Sequence, residues 1–136
     1  MSLVAGQQLV IVSIKQRYAG HARQAAFVAS QNRPAAYHGR YVIVVDEDID
    51  PTDIQQVLWA LCTRSDPEKD IEIIRRAWST PLDTMIRKPT NAYFNSRAVI
   101  DACKPYEWID EFPEDIKMSS ELAEAMKKKW GAVLDL

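Results

Sequence analysis

The sequence predicts an α/β domain: a small, mostly parallel sheet covered by helices, built on a β-α-β-α-β core with a separate C-terminal helix. Three observations carry that expectation. Strand-length apolar runs rich in β-branched residues recur at 8–14 (QLVIVSI), 40–46 and 71–78 (IEIIRRAW), with helical periodicities between them. Val42 to Val45 are apolar without alternation, as expected of a strand covered on both faces. Strand, helix, strand, helix, strand in short succession argues for parallel neighbours joined by crossovers. An α+β arrangement with a mixed sheet is the alternative this pattern leaves open.

Each element has a local reason. After the first strand, Tyr18-Ala19-Gly20 makes a turn, and from His21 onward Ala22, Ala25, Ala26 and Ala29 recur at helical spacing. A face of small residues lets such a helix approach a sheet closely. After the second strand, Asp50 is placed to cap a helix, Pro51 suits its first turn, and Asp53 sets a carboxylate near its positive end. Ile54, Val57, Leu58 and Leu61 line one face of that helix, which runs to about Arg64. DPEKD (66–70) reads as a loop, and 78–96 as a long loop of the kind that is functional or covered by a partner. RAVIDACKPYEWIDEFPED holds short apolar patches broken by Pro105 and Pro113, with Trp108 and Phe112 as anchors. The tail, 119–136, is a helix capped by Ser119 or Ser120, with Leu122, Met126, Trp130 and Val133 on one stripe. Such a terminal helix docks on its own core or on a neighbour.

Composition excludes several classes. A chain of 136 residues, 47% apolar, suits one domain spanning 1–136 with its own core. Net charge is −2, and the densest basic run, Lys127-Lys128-Lys129, lies beside Glu121 and Glu124. That is a solvated helix face, so no nucleic-acid partner is expected. No apolar stretch approaches the ~20 residues that span a bilayer, and no signal-peptide pattern occurs, so no membrane partner is expected and the setting is cytoplasmic. Cys62 and Cys103 read as reduced thiols. Met1-Ser2-Leu3 carries no structural weight.

Five acids crowd 46–53: Asp46, Glu47, Asp48, Asp50 and Asp53. An EF-hand loop needs Gly at its sixth position and Glu at its twelfth; counted from Asp46 these are Pro51 and Val57. A Mg²⁺ site at a strand end fits better. Helix capping by Asp50 and Asp53 explains two acids with no ion, while Asp46, Glu47 and Asp48 line a solvated turn. For Asp46 and Asp48 the metal reading stays closer to open. His21 and His38 have no metal-ligand spacing, and His21 reads as a turn or cap residue. No G-x-S-x-G, P-loop or G-x-G-x-x-G occurs among only four glycines. Lys15, Arg17, Arg33 and Arg40 offer anion contacts or are simply surface cations.

VSIKQRYAGHARQAA (12–26) followed by GRYVIVVDEDIDPTDIQQVLWALCTRSDPEKDIEII (39–74) resembles the C-terminal domain of the UbiD-type decarboxylases, over about Gln8 to Phe112. Its most specific part is the sequence DEDID, helix, Trp59-Ala60-Leu61-Cys62-Thr63-Arg64 and Asp66-Pro67. IIRRAWSTPLD and SRAVIDACKPYEW look closest to the members acting on 4-hydroxybenzoate-like phenolic acids. The resemblance implies a reversible decarboxylase of aromatic or α,β-unsaturated acids that uses prenylated FMN and a divalent metal in the complete enzyme. It places the flavin site, the metal ligands and the catalytic carboxylates N-terminal to this domain. It thus implies no catalytic residue and no metal ligand here, and no cofactor bound to this chain alone. The partner is then an N-terminal flavin-binding region or a separate subunit. The same resemblance implies that the loop after the third strand closes over the substrate, with Thr80 and Leu82 against its aromatic ring, and that Arg33 reaches the cofactor. It implies a homo-oligomer whose C-terminal helix packs on a neighbouring subunit. The competing class is an oligomerisation or binding module without catalytic contact, and a free-standing metal phosphohydrolase stands third.

Overall fold

The computed structural model describes residues 8–86, 93–116 and 119–134. In chain order these form β1 (Leu9–Ile14), α1 (His21–Gln31), α2 (Arg33–His38), β2 (Tyr41–Asp46), α3 (Ile54–Arg64), the single turn α4 (Pro67–Asp70), β3 (Ile71–Trp78), β4 (Phe94–Ala102), a 3₁₀ segment (Tyr106–Glu111) and α5 (Ser120–Leu134). The sheet runs β1-β2-β4-β3. β1, β2 and β4 are parallel, whereas β3 is antiparallel to β4. The α/β class holds, with the mixed sheet that the alternative allowed. The third parallel strand is β4 rather than residues 71–78. β3 and β4 are consecutive neighbours, with Trp78 opposite Phe94 at the end where the chain passes from one to the other, which makes them antiparallel. The DPEKD stretch, expected as a loop, closes one helical turn because Asp66 accepts from the Glu68 amide and Pro67 opens the turn.

Both faces of the parallel strands are covered, which is why β2 shows no alternation. On one face Val42, Val44 and Val99 pack against Ala22 and Ala26 of α1 and against Cys103. On the other, Ile43, Val45, Ile100 and Ala102 pack against Val57 and Ala60 of α3 and against Ile49. The small face of α1 does what its alanines predict. In α3 the buried stripe is Val57, Ala60 and Arg64, while Ile54 and Leu58, expected on the inner face, are about half exposed. The α3 cap also differs by three residues from the expectation. Asp53 is the N-cap, its carboxylate accepting from the Gln55 and Gln56 amides. Asp50 holds the preceding turn instead, accepting from the Thr52 amide and hydroxyl at 2.8 and 2.7 Å.

The three parallel strands finish together around Asp46. Gln16, just past β1, donates to Asp46 Oδ1 and to the Lys104 carbonyl, both at 2.8 Å. The Lys104 amide, just past β4, donates to Asp46 Oδ2 at 2.7 Å. Arg64, from the last turn of α3, brings a fully buried guanidinium into this corner. It donates to Asp46 at 3.2 Å, holds Asp48 with both terminal nitrogens at 2.8 and 2.9 Å, and lies 3.6 Å from Asp115. Burial works against the charge on Arg64, but the surrounding carboxylates outweigh it and raise its pKa. The Arg64 hydrogen bonds, with further help from Lys104, outweigh desolvation at Asp48 and push its carboxyl down to about 2.

Two outcomes follow from this frame. Asp53→Ala should cost about 0.5–2 kcal/mol in chemical unfolding, while Asp50→Ala, which removes no helix cap, costs less. Arg64→Leu strands the acids it balanced and should cost about 3–5 kcal/mol. Because its pKa is depressed, Asp48 stabilises the fold above its unfolded value of about 3.9, and that contribution fades as pH falls toward about 2. Asp48→Asn should therefore flatten the loss of stability across that acid window and leave the slope near neutrality unchanged. Mg²⁺ should not raise the wild-type melting temperature. A rise that Asp46→Asn abolishes would make the corner a metal site.

Candidate functional site at the opposite end of the sheet

Because β3 runs backwards, it ends at the edge where β2 and β4 begin, far from the Asp46 corner. A bulge lies just before that end. Ile74 pairs with Arg97 and Ala77 with Asn95, so β3 carries one extra residue there, and Arg76 adopts φ 57°. A non-glycine residue in the left-handed region is a strained one. The extra residue breaks the alternation that would otherwise put Trp78 on the face of Ile74. It delivers the indole against Tyr37 of α2, with ring centroids 5.1 Å apart. Tyr37 in turn meets His38 edge-on at 4.9 Å. Arg33, the first residue of α2, completes an open groove of about 630 Å³ with Tyr37, His38 and Trp78. Three aromatic rings and one cation make a surface suited to a planar anion.

The loop leaving Trp78 is anchored on one side and bare on the other. Ser79, Thr80, Asp83 and Ile86 are buried, whereas Leu82 is 78% and Met85 71% exposed. Asp83 is the anchor. Its carboxylate accepts from Arg40 at the head of β2, from Ser79 Oγ and Asn95 Nδ2 at 3.0 Å each, and from the Met85 amide at 2.9 Å. Burial would push this carboxyl up, but the hydrogen bonds from Asn95, Met85 and Ser79 and the charge of Arg40 hold it below the usual range. Arg97 adds a second tie from inside β4, donating to the Trp78 carbonyl at 3.0 Å and to the Ser30 carbonyl at 2.5 Å. Ionic groups this deeply buried persist where their partners are fixed. Residues 87–92 of the expected long loop lie outside the described residues.

The residues expected at the site fall into two groups. Arg33 sits on the groove. Thr80 and Leu82 follow it through Trp78 but do not line it: Thr80 is fully buried, its hydroxyl accepting from the Leu82 amide at 3.2 Å, and Leu82 projects outward. Sequence reasoning missed Tyr37, Trp78, Asp83 and Arg97, while Arg40, offered as an anion contact or a surface cation, makes its contact inside the domain with Asp83. Asp83 had a signal, since Ser79 and Thr80 stand four and three residues before it in a pattern that favours side-chain to amide bonding. Buried arginines within strands leave no such trace. Cys62 and Cys103 are free, as expected. Burial, with Asp46 and Asp101 beside it, pushes the Cys103 thiol far up, so it is no nucleophile.

Among the described residues no three acidic, histidine or cysteine side chains converge to hold a metal ion. The acids at the strand ends are already balanced by Arg64 and Lys104. A flavin phosphate and its metal need a cradle of converging donors, and among the described residues the one cation lining the groove is Arg33. The described residues do not build a complete flavin or metal site. No described helix is long and apolar enough to cross a membrane.

Comparison with known proteins matches this geometry to relatives. Residues 2–102 match the 3-octaprenyl-4-hydroxybenzoate carboxy-lyase C-terminal domain. The phenolic acid decarboxylase of Sedimentibacter hydroxybenzoicus is 40% identical over 96 residues, 71% of this chain but 19% of that protein. The vanillic acid decarboxylase of the same organism, in closed form, superposes with a TM-score of 0.65 at 34% identity, over 88% of this chain and 25% of that one. The UbiD-class enzyme HmfF from Pelotomaculum thermopropionicum, in complex with FMN, gives 0.67 at 28% identity, over 80% of this chain and 23% of that one. The chain thus spans about a fifth to a quarter of the length of these relatives. With its family match covering well over half its residues, the chain belongs to the UbiD family of carboxy-lyases, as a C-terminal domain.

Proposed function

We propose that this chain is the C-terminal substrate-pocket and assembly domain of a reversible, non-oxidative decarboxylase of aromatic or α,β-unsaturated carboxylic acids. Prenylated FMN, its divalent metal and the catalytic carboxylates belong to an N-terminal region or a separate subunit. The observation that carries this reading is the loop at 79–86: a fixed, ion-paired base presenting a bare apolar tip, in a chain whose family acts on such acids. A rigid base with exposed Leu82 and Met85 is built to cover something flat and apolar and to shut water out. Leu82 meets the aromatic ring of the acid. Thr80 shapes that contact through its hydrogen bond to the Leu82 amide. Arg33 faces an anionic group that the flavin-bearing partner brings to the groove. The flavin supplies the bond-breaking chemistry when bound; this domain positions the ring and closes the pocket.

A second reading, an oligomerisation module without catalytic contact, draws on a different observation. The apolar stripe of α5 is uncovered, with Leu122, Met126 and Trp130 all exposed. The side chain of Val133 lies outside the described residues. Both roles fit one domain, and α5 crossing to a neighbouring subunit of a homo-oligomer is part of the proposal.

The purified 136-residue chain, given prenylated FMN and a phenolic acid, should release no CO₂, and activity should need the flavin-bearing partner. Turnover by the chain alone would overturn the division of labour. In the complete enzyme Leu82→Ala should raise KM about tenfold with a smaller change in kcat, the pattern of lost ring contact. Substrate should also slow amide exchange at 79–86. Unchanged exchange there, together with wild-type kinetics for Leu82→Ala, would favour the assembly module alone.

A further inference from the structure

We infer that Asp83 is a positioning residue for the aromatic acid: its carboxylate fixes the apolar tip, Leu82 and Met85, relative to the groove of Arg33, Tyr37 and Trp78. This rests on the substrate-pocket reading above and adds to it the one group that ties the two halves of the pocket together.

The two oxygens of that carboxylate divide the work. Oδ1 accepts from the Arg40 guanidinium and from the Met85 amide, the latter at 2.9 Å. Oδ2 accepts from Ser79 Oγ and Asn95 Nδ2, each at 3.0 Å. Every one of these donors belongs to the groove or the tip, or sits beside it in the chain. Ser79 follows Trp78 directly. Arg40 stands two residues past His38, the end of α2, and its carbonyl is itself held by the Ala98 amide at 2.9 Å. Asn95 adjoins Phe94, which lies opposite Trp78 across the ladder. Met85 is the tip. One carboxylate thus holds the base of both groove walls and the backbone of the tip. The Asp83 main chain adds two ties, its amide donating to the Thr80 carbonyl at 3.0 Å and its carbonyl accepting from the Ile86 amide at 3.1 Å. Leu82, with its own amide on Thr80 Oγ1, has little backbone freedom left.

Stability alone does not call for such a group. Where a buried charge merely fills space, well-packed apolar side chains of similar volume serve as well. A carboxylate that collects donors from the loop, the head of β2 and β4 sets direction as well as distance. The Asp83 side chain is wholly buried, so it acts on the ring only through Leu82 and Met85. The contact it sets is sensitive to small shifts. A gap of about 0.5–1 Å between ring and tip forfeits about a quarter to a half of their attraction.

A double-substitution cycle in the complete enzyme, this chain with its flavin-bearing partner, tests the inference on 4-hydroxybenzoate or the phenolic acid the wild type decarboxylates fastest. Asp83→Asn keeps the size of the side chain but removes the charge facing Arg40 and turns one acceptor into a donor. It should raise KM about tenfold with a change in kcat of about twofold or less, and quicken amide exchange at Leu82 and Met85. Leu82→Ala gives a similar rise on its own. Because both act on one contact, the double variant should stand about ten- to twentyfold above wild type, short of the roughly hundredfold of independent sites. A merely structural role lowers the melting temperature and leaves KM as it was. A wild-type KM in Asp83→Asn, or a double variant at the additive hundredfold, overturns the inference while the pocket reading stands. A wild-type KM in Leu82→Ala overturns the pocket reading and this inference with it. Should circular dichroism show that Asp83→Asn does not fold, Ser79→Ala takes its place. It removes one of the four donors and no charge, and should raise KM about threefold with the same failure to add; an unchanged KM there overturns the inference equally.

Discussion

The buried guanidinium of Arg64 is the constraint on which the rest of the fold depends. Three parallel strands bring their carboxyl ends to one corner, and the chain places Asp46 and Asp48 there. Acids gathered this closely repel one another unless a cation joins them. Arg64 supplies it from the last turn of α3, so one side chain neutralises the corner and fixes where that helix ends against the sheet. Asp46 then has oxygens left for Gln16 and the Lys104 amide, which tie the exits of β1 and β4 to that of β2. The acidic run that invites a metal reading is the negative half of an internal ion-pair network. Of its remaining members, Glu47 pairs with Lys15 at the surface, and Asp50 and Asp53 hold a turn and a helix N-terminus.

The other end of the sheet repeats the device for a different purpose. Asp83 and Arg40 pair where the loop after β3 meets the head of β2, and Arg97 reaches from β4 to the last carbonyl of β3. Both ties fix the base of a loop whose tip is apolar and bare. Ionic anchoring suits this job better than apolar packing would, because hydrogen bonds set direction as well as distance. The strained Arg76 and the bulge beside it serve the same end by steering Trp78 onto Tyr37. Local strain kept next to a surface of this kind is a familiar mark of function.

How much of this was legible in the sequence depended on whether local physics governed it. β1, β2, α1 and α3 each declare themselves by period, composition and flanking turns, and the structure keeps all four. β4 did not, because Arg97 and Asp101 interrupt its apolar run; Arg97 is there for the Ser30 carbonyl, which only the assembled sheet brings to it, while Asp101 accepts from the Cys103 amide just past the strand. The direction of β3 was hidden for the same reason, since a strand's own residues do not state which neighbour it joins. Asp50 and Asp53 offer equal capping chemistry, and the choice between them turns on the Asp50–Thr52 turn, a matter of three residues. At the site, Arg33 came from resemblance, and Thr80 and Leu82 were found together but with unlike orientations. The ion pairs Arg40–Asp83 and Arg64–Asp48 span 43 and 16 residues, and separations like these carry no periodic signal.

In open sheets with parallel strands, ligands ordinarily settle at the carboxyl ends of those strands, where loops and helix N-termini gather. Here that place is occupied by the protein's own charges. The reversal of β3 is what makes a second place available: its carboxyl end falls beside the amino ends of β2 and β4, and the loop that follows emerges there. One end thereby holds buried ion pairs and the other the exposed Leu82 and Met85. Substitutions in the stretch from Asp46 to Asp53 act first on stability, because their partners are internal. Leu82 and Met85 are exposed, so substitutions there leave the core untouched. The mixed sheet is thus more than a variant of a parallel one, since the one strand that runs backwards decides at which end of the domain the loop after it emerges.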